Sequence, residues 1–129
     1  MNLEVQWVVG FVDGEGCFHV AINKNETTKS GIQIQPEFSV VQHQRDIQIL
    51  YALKKYFQCG QVRQNHGERY MFRVRGHANL RDRILPFFEK HKLKTKKRID
   101  FEKFREVVRM MEKEDPGHLL GGNNTDDPS

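Results

Sequence analysis

Residues 8–16 read Val-Val-Gly-Phe-Val-Asp-Gly-Glu-Gly, and this nonapeptide constrains the fold more than any other stretch of the chain. An apolar helical run ends there in two carboxylates, Asp13 and Glu15, with a glycine between them. The C-terminal end of a helix carries partial negative charge and favours Lys, Arg or His, so acids at that end are electrostatically misplaced. Something has to offset them, and the candidates are a partner's backbone N–H for one acid and a divalent cation for the other. Gly10 and Gly14 lie four apart on one helical face and leave it bare enough for close backbone approach. A helix that touches another helix along a bare face while holding a carboxylate at its tip is a site as well as core. The bland alternative is an amphipathic N-terminal helix with a glycine-rich cap. Asp-Gly-Glu-Gly is an odd way to end one.

The rest of the chain alternates between two periodicities. Asn2 is placed to cap a first helix over about 3–12. Phe18, Val20 and Ile22 alternate with His19, Ala21 and Asn23, which predicts a strand over 17–24. A polar loop, 25–31, leads to a second strand over 32–41, with Ile32, Ile34, Phe38 and Val40 on one side. Pro36 among them suggests an edge or a bulge. Ile47, Leu50, Leu53 and Phe57 give a helix over about 45–57, ended by Gly60. Strands at 61–65 and 69–75 follow, joined by a turn at His66-Gly67-Glu68. A short helix starts near His77 or Asn79, Pro86 begins a further turn, and a basic stretch, 90–98, precedes a helix over about 97–113. The domain spans 1–113, and 114–129 reads as a flexible tail. The order α-β-β-α-β-β-α predicts an α+β fold: one four-stranded antiparallel sheet with helices on one face.

The opposite face of that sheet would present His19, Ala21, Asn23, Gln33, Gln35, Glu37, Ser39, Arg63, Asn65, Arg69, Met71, Arg73 and Arg75. Arg suits guanine edges, Gln and Asn suit adenine, and Glu suits cytosine. A merely solvated face is the usual fate of polar alternation, but such faces run to Lys, Glu and Thr. The formal net charge of +4 and the basic stretch near residue 94 agree with a polyanionic partner, as does a pI near 9.2. Charge alone is weak support. Two cysteines without CxxC spacing indicate reduced thiols rather than a disulfide framework. No run is long and apolar enough for a membrane span, and the reading is of a soluble intracellular protein.

Residues 8–16 resemble the motif of the LAGLIDADG homing endonucleases, with Glu15 in place of the second aspartate, and the likeness extends over about 3–113. The resemblance is to the single-motif members, and it implies a homodimer packed through the motif helix, with Val9, Gly10 and Asp13 at the interface. It also implies that Asp13 hydrogen-bonds the N-terminus of the partner's motif helix. Glu15 and the Gly14 carbonyl would ligate Mg²⁺, with Mn²⁺ also supporting activity and Ca²⁺ supporting binding without cleavage. Gln42, just after the second strand, would lie near the activated water, and Lys94 would orient water or stabilise the transition state. A basic residue is expected four positions after Gln42, where this chain has Asp46; the adjacent Arg45 is the substitute. Asn25, Lys96 and Lys97 join the sheet face as DNA contacts.

The resemblance thus implies a site-specific endonuclease that makes a double-strand break in a long pseudo-palindromic DNA, in the manner of intron-encoded enzymes of chloroplasts or mitochondria. Two alternatives use the same scaffold. One is an RNA-binding intron maturase, which could dispense with Glu15, and the other is a non-cleaving DNA-binding protein, which could dispense with Gln42 and Lys94. A small interaction domain with no nucleic-acid role would bind with little response to salt.

Overall fold

The computed structural model describes residues 1–114, with side chains through 112. Its elements are α1 (Val5–Glu15), β1 (Gly16–Lys24), β2 (Ile32–His43), a 3₁₀ turn (Gln44–Asp46), α2 (Ile47–Phe57), β3 (Gln61–His66) and β4 (Arg69–Val74). Then come α3 (His77–Asn79), a π-turn (Leu80–Ile84), α4 (Leu85–Lys90) and α5 (Lys97–Glu114). The expected tail lies outside the described residues, except that Glu114 ends α5 instead of beginning the tail. All four strands pair antiparallel in the order β1-β2-β4-β3, so β2 and β4 are central.

One face of the sheet is built from aromatic rings. Phe38 and Phe72 are fully buried on the central strands, Phe57 and Phe88 reach them from the helices, and Phe101 and Phe104 of α5 pack on Phe18. The Phe18 ring meets Phe38 at 5.0 Å, Phe101 at 5.2 Å, Phe104 at 5.3 Å and Phe88 at 5.6 Å. Such offset and edge-on pairs add to the burial of large apolar area. The alternation fades at the far end of β1, where Ile22 is 67% exposed among the described residues.

Several boundaries differ from the pattern, each for a physical reason. α1 starts at Val5 rather than near Leu3; Glu4 is its N-cap, without a side-chain bond, and Asn2 lies outside it. At its other end the helix runs on through Asp13, Gly14 and Glu15, because the acids find tertiary partners. α2 ends on Gln58, which takes the left-handed conformation at φ 58° while its N–H donates to the Lys54 carbonyl at 2.9 Å. Gly60 serves packing instead: at φ 93°, a Cβ there would sit 2.3 Å from Phe72. The β3–β4 turn tightens to Gly67-Glu68, and a register shift between Gln64 and His66 leaves Asn65 unpaired. Ahead of Pro86 the helical run opens into the π-turn at 80–84. A wider turn there suits a residue with no N–H to donate and a ring that crowds the preceding turn.

Gly16 closes α1 and opens β1 in one step. Its N–H donates back to the Val12 carbonyl, and it is buried. A Cβ there would lie 2.7 Å from Val12 Cγ1 and 2.9 Å from the Val12 oxygen, neither of which can yield in a packed core. Gly16→Ala should therefore cost about 1–3 kcal/mol, seen as a thermal midpoint lowered by roughly 4–10 °C. An unchanged midpoint would show that the helix-to-strand junction can relax.

Candidate active site and nucleic-acid interface

Asp13 and Glu15 end α1 with different fates. The Asp13 carboxylate accepts the backbone N–H of Lys94 at 2.8 Å, the N–H of Thr95 at 3.1–3.2 Å, and the Thr95 hydroxyl. These donors stand just before α5, so Asp13 occupies the positive end of that helix. In return, the Lys97 ammonium donates to the Gly16 carbonyl at the negative end of α1. The acid expected to reach a partner's motif helix is thus held within its own chain, which corrects that assignment. Lys97, expected at DNA, is half-buried against α1, a second correction.

Burial alone would raise the Asp13 pKa. The Thr95 hydroxyl, the Lys94 and Thr95 amides and the Lys97 charge together outweigh burial and hold it below the ordinary carboxylate value.

Glu15 is left exposed at the tip, with Oε1 accepting from Gln42 Nε2 at 2.9 Å. Gln42 is the penultimate residue of β2 rather than a residue beyond it, and it pairs with Tyr70 on the helix-side face. Lys94 and Lys96 are exposed on the loop that Asp13 anchors. Gly14 is exposed in the last turn of α1, where the residue four positions on, Phe18, belongs to β1, so its carbonyl has no partner within the helix. Glu15, Gln42 and the Lys94 loop are therefore gathered at one end of α1. Arg45 is not: it is 78% exposed and pairs with Asp46 at 4.0 Å. Among the described residues no hydrogen bond or ion pair ties it to Glu15 or Gln42.

The bare helix face is present but narrower than expected. Nothing lies within 4 Å of a Cβ built at Gly10 or Gly14. Trp7, 43% exposed, stacks on Phe11 at 4.8 Å, so residues 7, 10, 11 and 14 form one stripe. Val9, expected on that face, is 2% exposed in the protomer's own core and is unavailable to a second copy.

On the sheet's other face, register places Cys17, Ser39, Arg73 and Gln61 in one row and Val41, Met71 and Arg63 in the next. His19 lies beside Glu37, Ala21 beside Gln35, and Asn23 beside Gln33. His19, Asn23, Arg63 and Arg69 are exposed, while the middle is recessed. Ser39, expected to be accessible, is buried because the longer Arg73 flanks it on a central strand; the Arg73 side chain is 12% exposed and stands 3.9 Å from Glu37. Asn25 is committed to its own loop, bonding Thr27 through its side-chain oxygen, and reaches Gln33 only at 3.5 Å. Asn65 falls in the bulge, where alternation no longer assigns a face. Sequence reasoning missed Cys17, Gln61, Val41 and His43, which the pairing puts on this face. His43 Nδ1 accepts the Arg45 N–H at 3.1 Å and its Nε2 meets Glu68 at 2.9 Å, fastening the β3–β4 turn to the exit of β2.

The sequence profile of the LAGLIDADG endonucleases matches residues 8–108. The chain belongs to the LAGLIDADG endonuclease family. It is 32% identical over 104 residues to homing endonuclease I-ApeII of Aeropyrum pernix, covering 79% of this chain and 60% of that protein. It is 28% identical over 87 residues to DNA endonuclease I-CeuI of Chlamydomonas moewusii, covering 66% of this chain and 40% of that one. The solved homing endonuclease I-TnaI is 56% identical with a TM-score of 0.87, covering 92% of this chain and 79% of that chain. I-SmaMI, solved on uncleaveable DNA, is 33% identical with a TM-score of 0.87, over 92% of this chain and 40% of that chain. The α+β architecture read from the sequence is the LAGLIDADG fold. No described helix is long and apolar enough to cross a membrane.

A carboxylate with a lowered pKa stabilises the fold above its unfolded value, and that contribution is lost as pH falls through the folded value. Asp13→Ala should therefore lower the thermal midpoint at pH 7 by roughly 5 °C. The gap from the parent should persist down to about pH 4 and close below it. A gap independent of pH would mean that the ionised carboxylate is not what holds the loop.

Proposed function

We propose that this chain is a divalent-metal-dependent, site-specific DNA endonuclease that works as a symmetric homodimer on a long pseudo-palindromic target and cuts both strands. The observation that carries this reading is the Glu15 tip: an exposed carboxylate, oriented by Gln42, beside a loop presenting Lys94. A non-cleaving binder or a maturase has no need of that set.

The fit to a cation is that of half a site. Glu15 and the Gly14 carbonyl offer oxygen donors of the kind hard divalent cations take. Among the described residues, however, no group of three or more His, Cys, Asp or Glu could hold an ion. A second copy's Glu15, meeting the first along the Trp7–Gly14 stripe, and two scissile phosphates would complete the oxygen set. A bound cation would supply Lewis-acid stabilisation and a more acidic water. We assign Mg²⁺ as the working ion, Mn²⁺ as a substitute and Ca²⁺ as an ion that supports binding without cutting; I-SmaMI on an uncleaved DNA target was solved in the presence of calcium ions.

The chain's own residues do the rest. Gln42 donates to one oxygen of the exposed Glu15, and the other accepts no hydrogen bond among the described residues. Lys94 places positive charge where the phosphoryl group gains negative charge, the arrangement that lowers such barriers most when fixed beforehand. His19, Asn23, Gln33, Gln35, Arg63, Arg69 and Met71 read base edges in the major groove, and Lys96 holds phosphate. Protein symmetry then dictates half-site symmetry. Several relatives are named intron-encoded endonucleases, including one of Neurospora crassa, which supports an intron origin in an organelle or microbe.

Glu15→Gln should bind target duplex in Ca²⁺ with unchanged affinity and cleave it in Mg²⁺ about a thousandfold more slowly; cleavage at the parent rate would remove Glu15 from the site. Gly10→Leu enters open space and should leave circular dichroism unchanged while sedimentation shifts from dimer to monomer. A dimer that survives this change would move the two-fold contact off the stripe.

A further inference from the structure

We infer that Asp13 is a positioning residue for Lys94: its carboxylate ties the loop to the tip of α1, so that Lys94 and Glu15 of one protomer are presented together. This rests on the endonuclease reading, and it adds a role for the motif's first acid. Asp13 receives four hydrogen bonds on two oxygens, from the Lys94 amide, the Thr95 amide (shared between both oxygens) and the Thr95 hydroxyl. Three donor hydrogens, one of them shared, thus engage both Asp13 oxygens within its own chain.

The tie fixes backbone, which is what makes it a positioning device. Lys94 is exposed, and its side chain is long and flexible; a fold can determine where its Cα stands but not hold its ammonium in water. The 2.8 Å bond to the Lys94 amide sets that Cα, and the Lys97 contact with Gly16 closes the loop from its far side. Glu15 is two residues from Asp13 in the same helical turn, so one helix end dictates both groups. Small misplacement of a charged group costs transition-state stabilisation without loss of substrate binding.

A double-mutant cycle on the full chain tests this. In single-turnover cleavage with Mg²⁺, D13A and K94A should each slow cutting by about thirtyfold, and D13A/K94A should be no slower than K94A alone. Affinity for the duplex in Ca²⁺ should stay within about threefold, since only transition-state interactions are lost. T95V, which keeps both amide bonds, should fall between D13A and the parent. Amide hydrogen exchange supplies a readout independent of activity: Lys94 and Thr95 should be protected in the parent and in K94A, and unprotected in D13A. Should D13A not fold, D13N retains one acceptor oxygen and should lie between the two.

Multiplying losses in the double variant, parent-like cutting by D13A, or amides that exchange equally fast in parent and D13A would each overturn the assignment. A parent chain that cuts no duplex DNA would overturn the endonuclease reading, while the exchange result would still decide the tie itself.

Discussion

Two helix ends meet at the base of the sheet and neutralise each other. The negative end of α1 receives the Lys97 ammonium on Gly16, and the positive end of α5 receives the Asp13 carboxylate on Lys94 and Thr95. The two residues of each contact are 81 or 82 positions apart in the chain, so the motif helix and the last helix are joined by tertiary structure alone. This exchange explains how α1 tolerates two acids in its last turn without a basic residue there. It also separates those acids by task. Asp13 is enclosed by donors, and Glu15, bonded among the described residues to Gln42 alone, remains open to what lies beyond the surface.

The sheet divides its work between faces in the same way. Its inner face is a stack of phenylalanine rings that gives the small domain a rigid floor, and α1 rides on that floor through Val8, Val9 and Val12. Its outer face is polar, with the long side chains at the periphery and the Glu37–Ser39–Arg73 centre sunk among its neighbours. Access on a pleated face therefore follows side-chain length and strand position as well as alternation. That is why Arg63 and Arg69 are exposed while Arg73, on the same side, is not.

The sequence made the architecture legible because its periods are clean: 3.6 in residues 47–57 and two in residues 17–21 and 69–74. The motif singled out Glu15 and the resemblance singled out Gln42, and the fold joins the two by a hydrogen bond. What stayed hidden depends on tertiary contacts. Asp13 looks the same in the chain whether it serves a partner's helix or its own α5, and only the folded loop decides. Val9 neighbours Gly10 in sequence yet points into the core, because a helical stripe turns about 100° per residue. Gln58 rather than Gly60 takes the left-handed position, since the tighter need for glycine lies opposite Phe72. The bulge at Asn65 and the π-turn before Pro86 leave no periodic trace.

Gly16 has a consequence for how degenerate relatives should be read. Its missing side chain is demanded by Val12 and by the turn into β1, with no reference to chemistry at the tip. A descendant that had abandoned cutting for some other task would still have to keep that glycine and the valines beneath it, or the first helix would part from its sheet. Most letters of the nonapeptide therefore report how the helix is seated. The fifteenth position stands apart from that seating, with its carboxylate exposed at the tip.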